Sequence, residues 1–148
     1  MVFPIQSASS APAHTAPPLR VATAGEALFD LIEEPDGRLK PCAGGAVYNL
    51  TRALGLQGVG TLYLNPLSGD MLGRQLAHGL HDAGVALAFP TPVRAPSALA
   101  LAALDTEGKA SYSFYRDGVA DRQVTAAALT AACTALPELQ VVATGCLA

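Results

Sequence analysis

The sequence predicts an α/β fold in which helices cover the faces of a parallel sheet and a smaller antiparallel sheet is added. Two observations support this prediction. Short apolar runs at 19–24, 59–64 and 139–145 alternate with segments of helical periodicity, which is typical of a parallel sheet. Two further pairs of extended segments, within 27–40 and 97–115, are interrupted by turn residues and indicate antiparallel hairpins.

The first part of the domain is predicted to form a strand, a hairpin and a helix. The apolar run 19–24 ends at a glycine and suits a buried strand, and 27–32 continues as a second extended segment. Pro-Asp-Gly at 35–37 is a turn signal, so 38–40 is expected to return beside the second segment. A helix follows from about 45 to 54, where glycines suit its end.

The middle of the chain alternates strand and helix again. Residues 59–64 predict a buried strand, and a loop rich in capping residues leads to a helix over 71–83. Asp70 stands immediately before that helix and is predicted to be its N-cap. The helix has one apolar stripe, formed by Leu72, Leu76 and Leu80.

The last part contains the second hairpin, an alanine-rich helix and a strand. The hairpin is predicted from 97–104 and 111–115, the helix over 125–136 and the final buried strand over 139–145. The hairpin carries aromatic side chains that are interpreted as packing residues. They are Tyr112, Phe114 and Tyr115.

Composition limits the classes of function. The chain has 148 residues, of which 51% are hydrophobic and 14% charged, and this suits one domain with a core. A net charge of −3 gives no electrostatic footprint for nucleic acid, so no nucleic-acid partner is expected. No apolar stretch is long enough to cross a bilayer, so no membrane partner is expected.

The chain start and the cysteines predict a cytoplasmic protein. Residues 1–18 are rich in Ala, Pro and Ser and are interpreted as a flexible tail before a domain over 19–148. The tail lacks the basic start and continuous apolar core of a secretory signal. Three scattered cysteines form neither a disulfide framework nor a zinc pattern. His78 and His81 are interpreted as part of a solvated helix face rather than a metal site.

A paired glycine before the first helix is the clearest candidate binding feature. Gly44 and Gly45 lack a Cβ, so the backbone can approach a ligand. The helix start presents unpaired N–H groups and a positive dipole end, and Asn49, one turn later, can donate and accept hydrogen bonds. We expect a polar small molecule here. The alternative is a tight turn followed by a surface amide.

Other polar residues leave the chemistry open. From the residues alone, Asp30 is interpreted as a charged residue on an exposed strand. Arg116 follows an aromatic strand and either reaches a substrate oxygen or anionic group, or pairs with Asp117 or Asp121 in solvent. Ser68 has no His and Asp at suitable positions, so a nucleophilic triad is rejected.

Five segments resemble, in order, motifs of the N-terminal half of the PfkB, or ribokinase-like, carbohydrate kinases, and are most similar to fructokinases. They are Gly-Glu-Ala-Leu-Phe-Asp at 25–30, Gly-Gly-Ala-Val-Tyr-Asn at 44–49, Ser-Gly-Asp-Met-Leu-Gly at 68–73, the aromatic strand and arginine within 110–120, and the strand at 142–148. The resemblance extends from residue 20 to residue 148. A Rossmann-type nucleotide binder is disfavoured, because the first strand is not followed by Gly-x-Gly-x-x-Gly.

The resemblance implies a truncated ribokinase-like three-layer sandwich with a small antiparallel β lid, built from residues near 27–42 and 97–116. It implies ATP and Mg²⁺ as cofactors of the intact family, and a homodimer formed through the lids. A small-molecule sugar is the implied ligand. The implied sugar contacts are Asp30, Gly44, Gly45 and Asn49, with Arg116 as a further candidate.

The family's catalytic Gly-Ala-Gly-Asp segment does not occur in the sequence. By the resemblance, the ATP pocket also lies in the other half of the family's domain. No catalytic residue is therefore assigned, the isolated chain is expected to be inactive, and neither cofactor is expected to bind it well. We interpret the chain as the sugar-binding half of an ATP-dependent carbohydrate kinase. The alternative is a non-catalytic fragment or degenerate gene product that acts only as a binding or association module.

Overall fold

Two four-stranded sheets form the frame of the molecule. The computed structural model describes residues 17–104 and 110–145. The strands are β1 (Val21–Ala24), β2 (Leu28–Glu33), β3 (Leu39–Gly44), β4 (Thr61–Tyr63), β5 (Ala86–Leu87), β6 (Ala98–Leu104), β7 (Ala110–Tyr115) and β8 (Val141–Thr144). The helices are α1 (Ala46–Leu56), α2 (Met71–Asp82) and α3 (Ala126–Thr134), and a 3₁₀ turn spans Ala120–Arg122.

The first sheet is parallel throughout, with the strand order β5-β4-β1-β8, and this confirms the prediction of a parallel sheet. Val21 at the start of β1 pairs with Thr61 of β4 on one side and with Val141 of β8 on the other. β1 is therefore an interior strand. Its short apolar sequence is the one expected for a strand that is buried on both faces.

Helices cover both faces of this sheet and give the molecule three layers. Tyr63 of β4 is buried in a cluster with Leu76 of α2. Its neighbours Leu62 and Leu64 belong to a second cluster, which includes Leu129 of α3. The division follows from the alternation of side chains along a strand, which sends successive residues to opposite faces.

The second sheet has the order β3-β2-β6-β7 and contains both predicted hairpins. The pairs β2–β3 and β6–β7 are antiparallel, and the parallel pair β2–β6 joins them. The segments 27–42 and 97–116 thus meet in one sheet. Their parallel pairing was not predicted, because it joins strands that are far apart in the sequence and leaves no local signal.

Asp70 links α2 to the start of the second sheet. Its Oδ1 accepts a hydrogen bond from the Gly73 N–H (2.7 Å), which confirms the predicted N-cap. The same carboxylate accepts hydrogen bonds from the backbone N–H and the hydroxyl of Ser97, both at 2.8 Å. Ser97 directly precedes β6. One side chain therefore fixes the start of a helix and the root of a strand.

The aromatic residues of β7 are exposed, which contradicts their prediction as packing residues. The exposed fractions of Tyr112, Phe114 and Tyr115 are 57%, 49% and 59%. Phe114 lies opposite Ala100 and Tyr112 opposite Ala102, so their cross-strand neighbours are too small to cover them. The rings of Tyr112 and Phe114 stack on each other instead, with centroids 6.1 Å apart.

The remaining differences from the predicted elements are small. α1 continues to Leu56, α3 ends at Thr134, and the two-residue strand β5 was not predicted, since so short a segment shows no periodicity. Most of the predicted tail at 1–18, the turn at 105–109 and Cys146 lie outside the described residues. Within 17–104 and 110–145, no helix is long and apolar enough to cross a membrane.

Candidate functional site

The double glycine lies where β3 passes into α1, and Asp30 packs directly against it. Gly44 is the last residue of β3, and Asp30 lies opposite Cys42 in the paired strand β2. A Cβ on Gly44 would overlap Oδ2 of Asp30, so the missing side chain makes room for that carboxylate. Asp30 is half-buried, and its burial raises the pKa of its carboxyl group.

A second carboxylate, that of Glu26, lies beneath the loop and was not predicted as a site residue. Glu26 is fully buried, and its Oε1 accepts hydrogen bonds from the N–H groups of Ala46 (2.9 Å) and Val47 (3.4 Å). These are the first amides of α1, where the sequence suggested a ligand. Gly45 has a φ of 104°, and a Cβ there would lie 2.8 Å from the backbone oxygen of Glu26.

Asn49 completes a continuous stretch of predicted site residues. Its N–H donates to the carbonyl oxygen of Gly45 at 3.0 Å, and the residue is exposed on α1. The predicted site residues are therefore neighbours. Asp30 contacts Gly44, Gly44 precedes Gly45 in the chain, and the Asn49 N–H bonds to Gly45. The Asn49 bond is the ordinary backbone hydrogen bond of the first turn of α1, so the structure places these residues near one another without showing what they bind.

Arg116 belongs to a different cluster. Its guanidinium forms a 3.1 Å ion pair with Oδ2 of Asp121, and the exposed fractions of the two side chains are 10% and 2%. Arg116 was predicted either to reach a substrate or to pair with Asp117 or Asp121 in solvent. The structure shows the pair with Asp121, and this pair is buried. Burial raises the pKa of Asp121, although the neighbouring Arg116 opposes that rise.

Asn65 and Tyr63 tie this cluster to the end of β1. The Asn65 side-chain oxygen accepts from the Gly25 N–H (2.8 Å), and its amide donates to the backbone oxygen of Asp121 (2.7 Å). The hydroxyl of Tyr63 donates to the carbonyl oxygen of Gly25 (2.7 Å), and burial raises the pKa of Tyr63 well above its ordinary value. These bonds hold the turn that presents Glu26 to α1.

A cleft of about 250 Å³ opens at the carboxyl ends of β1, β4 and β8. The polar residues that line it are Asn65, Arg116, Asp121, Arg122 and Thr144. Ligands of open parallel sheets bind at this end of the strands. The cleft is therefore the second place in the described chain where the fold supports binding.

Three polar residues of these clusters were missed by sequence reasoning. Glu26 lies between the predicted buried strand at 19–24 and the extended segment at 27–32, and it was considered only as part of the motif at 25–30. Asn65 was assigned only to a capping loop. Asp121 was considered only as a solvent partner of Arg116, because no local pattern shows that a loop residue is buried.

Two observations on the described residues concern metal and phosphate groups. Residues 17–104 and 110–145 hold no group of three or more His, Cys, Asp and Glu side chains that could bind a metal ion. The N-termini of α1 and α2, which would otherwise attract phosphate, are occupied by the carboxylates of Glu26 and Asp70.

Comparison of the sequence with known proteins finds relatives of one enzyme class. No protein-family model matches the chain. Over 109 residues the chain is 34% identical to the fructokinase of Rhizobium leguminosarum bv. trifolii, and the match covers 71% of this chain and 33% of that enzyme. The chain matches these fructokinases over most of its own length. It spans about a third of theirs.

Solved structures agree with the sequence relatives. The fructokinase of Xylella fastidiosa is 31% identical and superposes with a TM-score of 0.66 over 74% of this chain and 37% of its own. A further structure of that fructokinase contains bound ATP. A putative ribokinase II from E. coli, 17% identical, shares the fold with a TM-score of 0.70 over 85% of this chain and 43% of its own.

The helix-covered parallel sheet and the separate mixed sheet, together with these matches, define a ribokinase-like α/β protein. The sequence relatives narrow the class further. The chain is similar to fructokinases over 71–74% of its own length, which is consistent with a fragment of a protein of the PfkB family of carbohydrate kinases.

Proposed function

We propose that this chain forms the sugar-binding part of an ATP-dependent carbohydrate kinase, with Asp30, Gly44, Gly45 and Asn49 at the sugar. The observation that supports the proposal most is the contact of Asp30 with Gly44, which brings a carboxylate to the loop before α1. Carboxylates accept hydrogen bonds from the hydroxyls of a polyol, and bonds to a charged acceptor are the stronger ones. Asn49 adds a donor and an acceptor on the exposed side of α1.

Phosphoryl transfer is proposed for a longer kinase of this family and not for the chain alone. ATP and Mg²⁺ supply the phosphoryl group and neutralise its charge in such enzymes. The part of the chain proposed here is to hold and orient the sugar hydroxyls. Arg116 is proposed as a positioning residue for the 116–121 loop, because its guanidinium is paired with Asp121.

Calorimetric titration of the full chain with D-fructose tests the proposal. We expect saturable heat, and we expect Asp30→Asn to weaken binding by about tenfold or more, since a hydrogen bond to a charged group contributes roughly 1.5–3 kcal/mol. The affinity should also fall on acidification as the pH passes through the raised pKa of Asp30, because the protonated carboxyl is a poorer acceptor.

Glu33→Gln is the matched control. Glu33 is an exposed residue of the same strand, and alternation puts it on the opposite face from Asp30. This variant removes the same charge and should leave the affinity unchanged. If the wild-type chain gives no heat with fructose or related sugars, the proposal fails, and a non-catalytic association module becomes the better account.

We also propose that the chain forms a homodimer through its second sheet and acts in the cytoplasm. β3 and β7 are the edges of that sheet, and edge strands offer unpaired backbone groups to a second chain. The exposed apolar side chains Leu39, Tyr112 and Phe114 lie on these two edge strands. The cytoplasmic location is supported by Cys42 and Cys133, which are both free thiols.

A further inference from the structure

Two carboxylates approach the double glycine from the protein side. Asp30 fills the space in which a side chain of Gly44 would lie. Glu26 lies under Gly45, where a Cβ would be 3.1 Å from its Cγ and 2.8 Å from its backbone oxygen. Both glycines therefore leave room for an acidic residue, and the loop between β3 and α1 rests on two negative groups.

Glu26 also occupies the position that an anion would take at the start of α1. A helix N-terminus attracts anions through its unpaired N–H groups and its dipole. Here Oε1 of Glu26 accepts the N–H groups of Ala46 and Val47, and the side chain is fully buried beneath them. The helix start is therefore satisfied from inside the protein, and its positive end is neutralised by a fixed carboxylate.

We infer that Glu26 makes the double-glycine loop selective for uncharged, hydroxyl-bearing ligands and excludes ligands that carry a carboxylate or phosphate at this point. The inference rests on the proposed function, because it concerns the ligand class of the same site. An anion above Gly45 would meet the negative charge of Glu26 and, beside Gly44, that of Asp30. Like charges repel each other, and the repulsion is stronger where the protein reduces access of water.

The geometry also assigns different roles to the two acidic residues. Asp30 is half-buried and lies at the site surface, whereas Glu26 is fully buried and acts through α1 and its charge. Glu26 is thus a specificity-determining and positioning residue that does not touch the sugar. Oε2 of Glu26 lies towards the end of β8, where a Cβ on Gly145 would be 2.7 Å away. The side chain therefore spans from the helix start to the exit of that strand.

The first test uses sulfate as a probe and does not require a sugar. Sodium sulfate is titrated into the full ¹⁵N-labelled chain, and the amide signals of Ala46 and Val47 are followed in the wild type and in Glu26→Ala. We expect the wild-type amides to be unaffected and those of the variant to titrate, with an apparent affinity at least about tenfold higher. An equal response of the two proteins would overturn the inference.

The second test keeps an oxygen acceptor for the helix start and removes only the charge. Glu26→Gln, the wild type and the Glu33→Gln control are titrated with D-fructose and with D-fructuronate, in which a carboxylate replaces one hydroxymethyl group of fructose. We expect the preference for fructose to fall by about tenfold in Glu26→Gln alone. An unchanged preference, or a parallel loss of both affinities, means that Glu26 is only structural and refutes the inference.

The two experiments separate this inference from the proposed function. If no variant binds fructose, the proposed sugar site is refuted, and the sulfate comparison still decides whether Glu26 excludes anions from α1. If fructose binds but sulfate titrates the wild-type amides as strongly as those of Glu26→Ala, the sugar site stands and the inference about Glu26 is wrong.

Discussion

Single residues of the candidate site are sensitive because two carboxylates are buried there. Glu26 and Asp121 are both buried, and the guanidinium of Arg116 pairs with Asp121. Within the described ranges, Oε2 of Glu26 and Oδ1 of Asp121 accept no hydrogen bond. The negative charge of Glu26 contributes to the raised pKa of Asp121, after burial, which is the main cause. Substitutions that leave these groups unpaired should therefore be costly.

Arg116→Ala is expected to destabilise the chain by about 3 kcal/mol, because it leaves the buried carboxylate of Asp121 without its partner. The pKa of Asp121 is already raised, and the loss of Arg116 raises it further. The destabilisation should therefore grow as the pH rises through that pKa, since the charged form is the one disfavoured. Urea denaturation at several pH values measures this effect.

Arg38→Ala is the control for this prediction. Arg38 forms an ion pair with Asp36 in which both side chains are exposed, so its removal should leave the unfolding midpoint unchanged. Equal effects of the two substitutions would mean that the Arg116 pair contributes no more than a surface pair.

Gly45→Ala is expected to destabilise the chain by roughly 2 kcal/mol, because the residue adopts a positive φ and a Cβ would collide with the backbone of Glu26. Gly69→Ala provides the comparison. The nearest atoms to its Cβ would lie 3.6 Å away, at ordinary contact distance, and we expect a change within about 1 kcal/mol. Thermal or urea unfolding of both variants measures the difference, and equal stabilities would contradict the prediction.

For single residues, the sequence identified those around the double glycine but not the buried Glu26 beneath it. Asp30, Gly44, Gly45 and Asn49 could be selected from local pattern and resemblance. Glu26 could not be assigned to α1 from local pattern, because its carboxylate and the amides it caps are distant in sequence and meet only after folding. Arg116 was recognised, but its burial with Asp121 depends on tertiary packing.

Among the secondary-structure elements, α2 and β6 are joined by a single side chain. Asp70 caps α2 and accepts two hydrogen bonds from Ser97 at the start of β6. Burial acts to raise the pKa of Asp70, but the hydrogen bonds from Gly73 and Ser97 outweigh it and the pKa is lowered. The carboxylate therefore stabilises the junction between α2 and β6 in its charged form.

Asp70→Ala should reduce the free energy of unfolding by about 1–2 kcal/mol at neutral pH, as for other N-cap residues. Asp70→Asn keeps an acceptor for Gly73 and should cost less. Because the folded-state pKa is below the unfolded one, the contribution of the charge is present above the unfolded pKa and is lost as the pH falls through the folded pKa. The stability of Asp70→Asn relative to the wild type should therefore improve on acidification, and a constant difference would contradict this.

The elements were predictable where the signal is local and were not where it is distant. Turn residues between extended segments predicted both hairpins, and leucines spaced by four predicted α2. The parallel pairing of β2 with β6 and the uncovered face of β7 depend on segments far apart in the chain. No window of the sequence contains that information.

For the whole molecule, we expect the second sheet to control self-association. Tyr112→Lys places a charge on its edge strand β7, and it should convert a dimer into a monomer at micromolar concentrations, because lysine on an edge strand opposes pairing. Light scattering coupled to size-exclusion chromatography measures the mass. Leu56→Lys, at an exposed position at the end of α1, is the control. A wild-type chain that is monomeric at all concentrations would refute the homodimer.

The position of β1 between β4 and β8 has a consequence for biosynthesis. Val21 leaves the ribosome long before its partner Val141, whereas each hairpin has its two strands close together in the chain. Hairpin closure is therefore early, because short loops lose little entropy, and completion of the parallel sheet is late. Until β8 is synthesised, one edge of β1 is open to chaperones and to neighbouring nascent chains. Chaperones that cover this edge during synthesis should therefore raise the yield of folded protein.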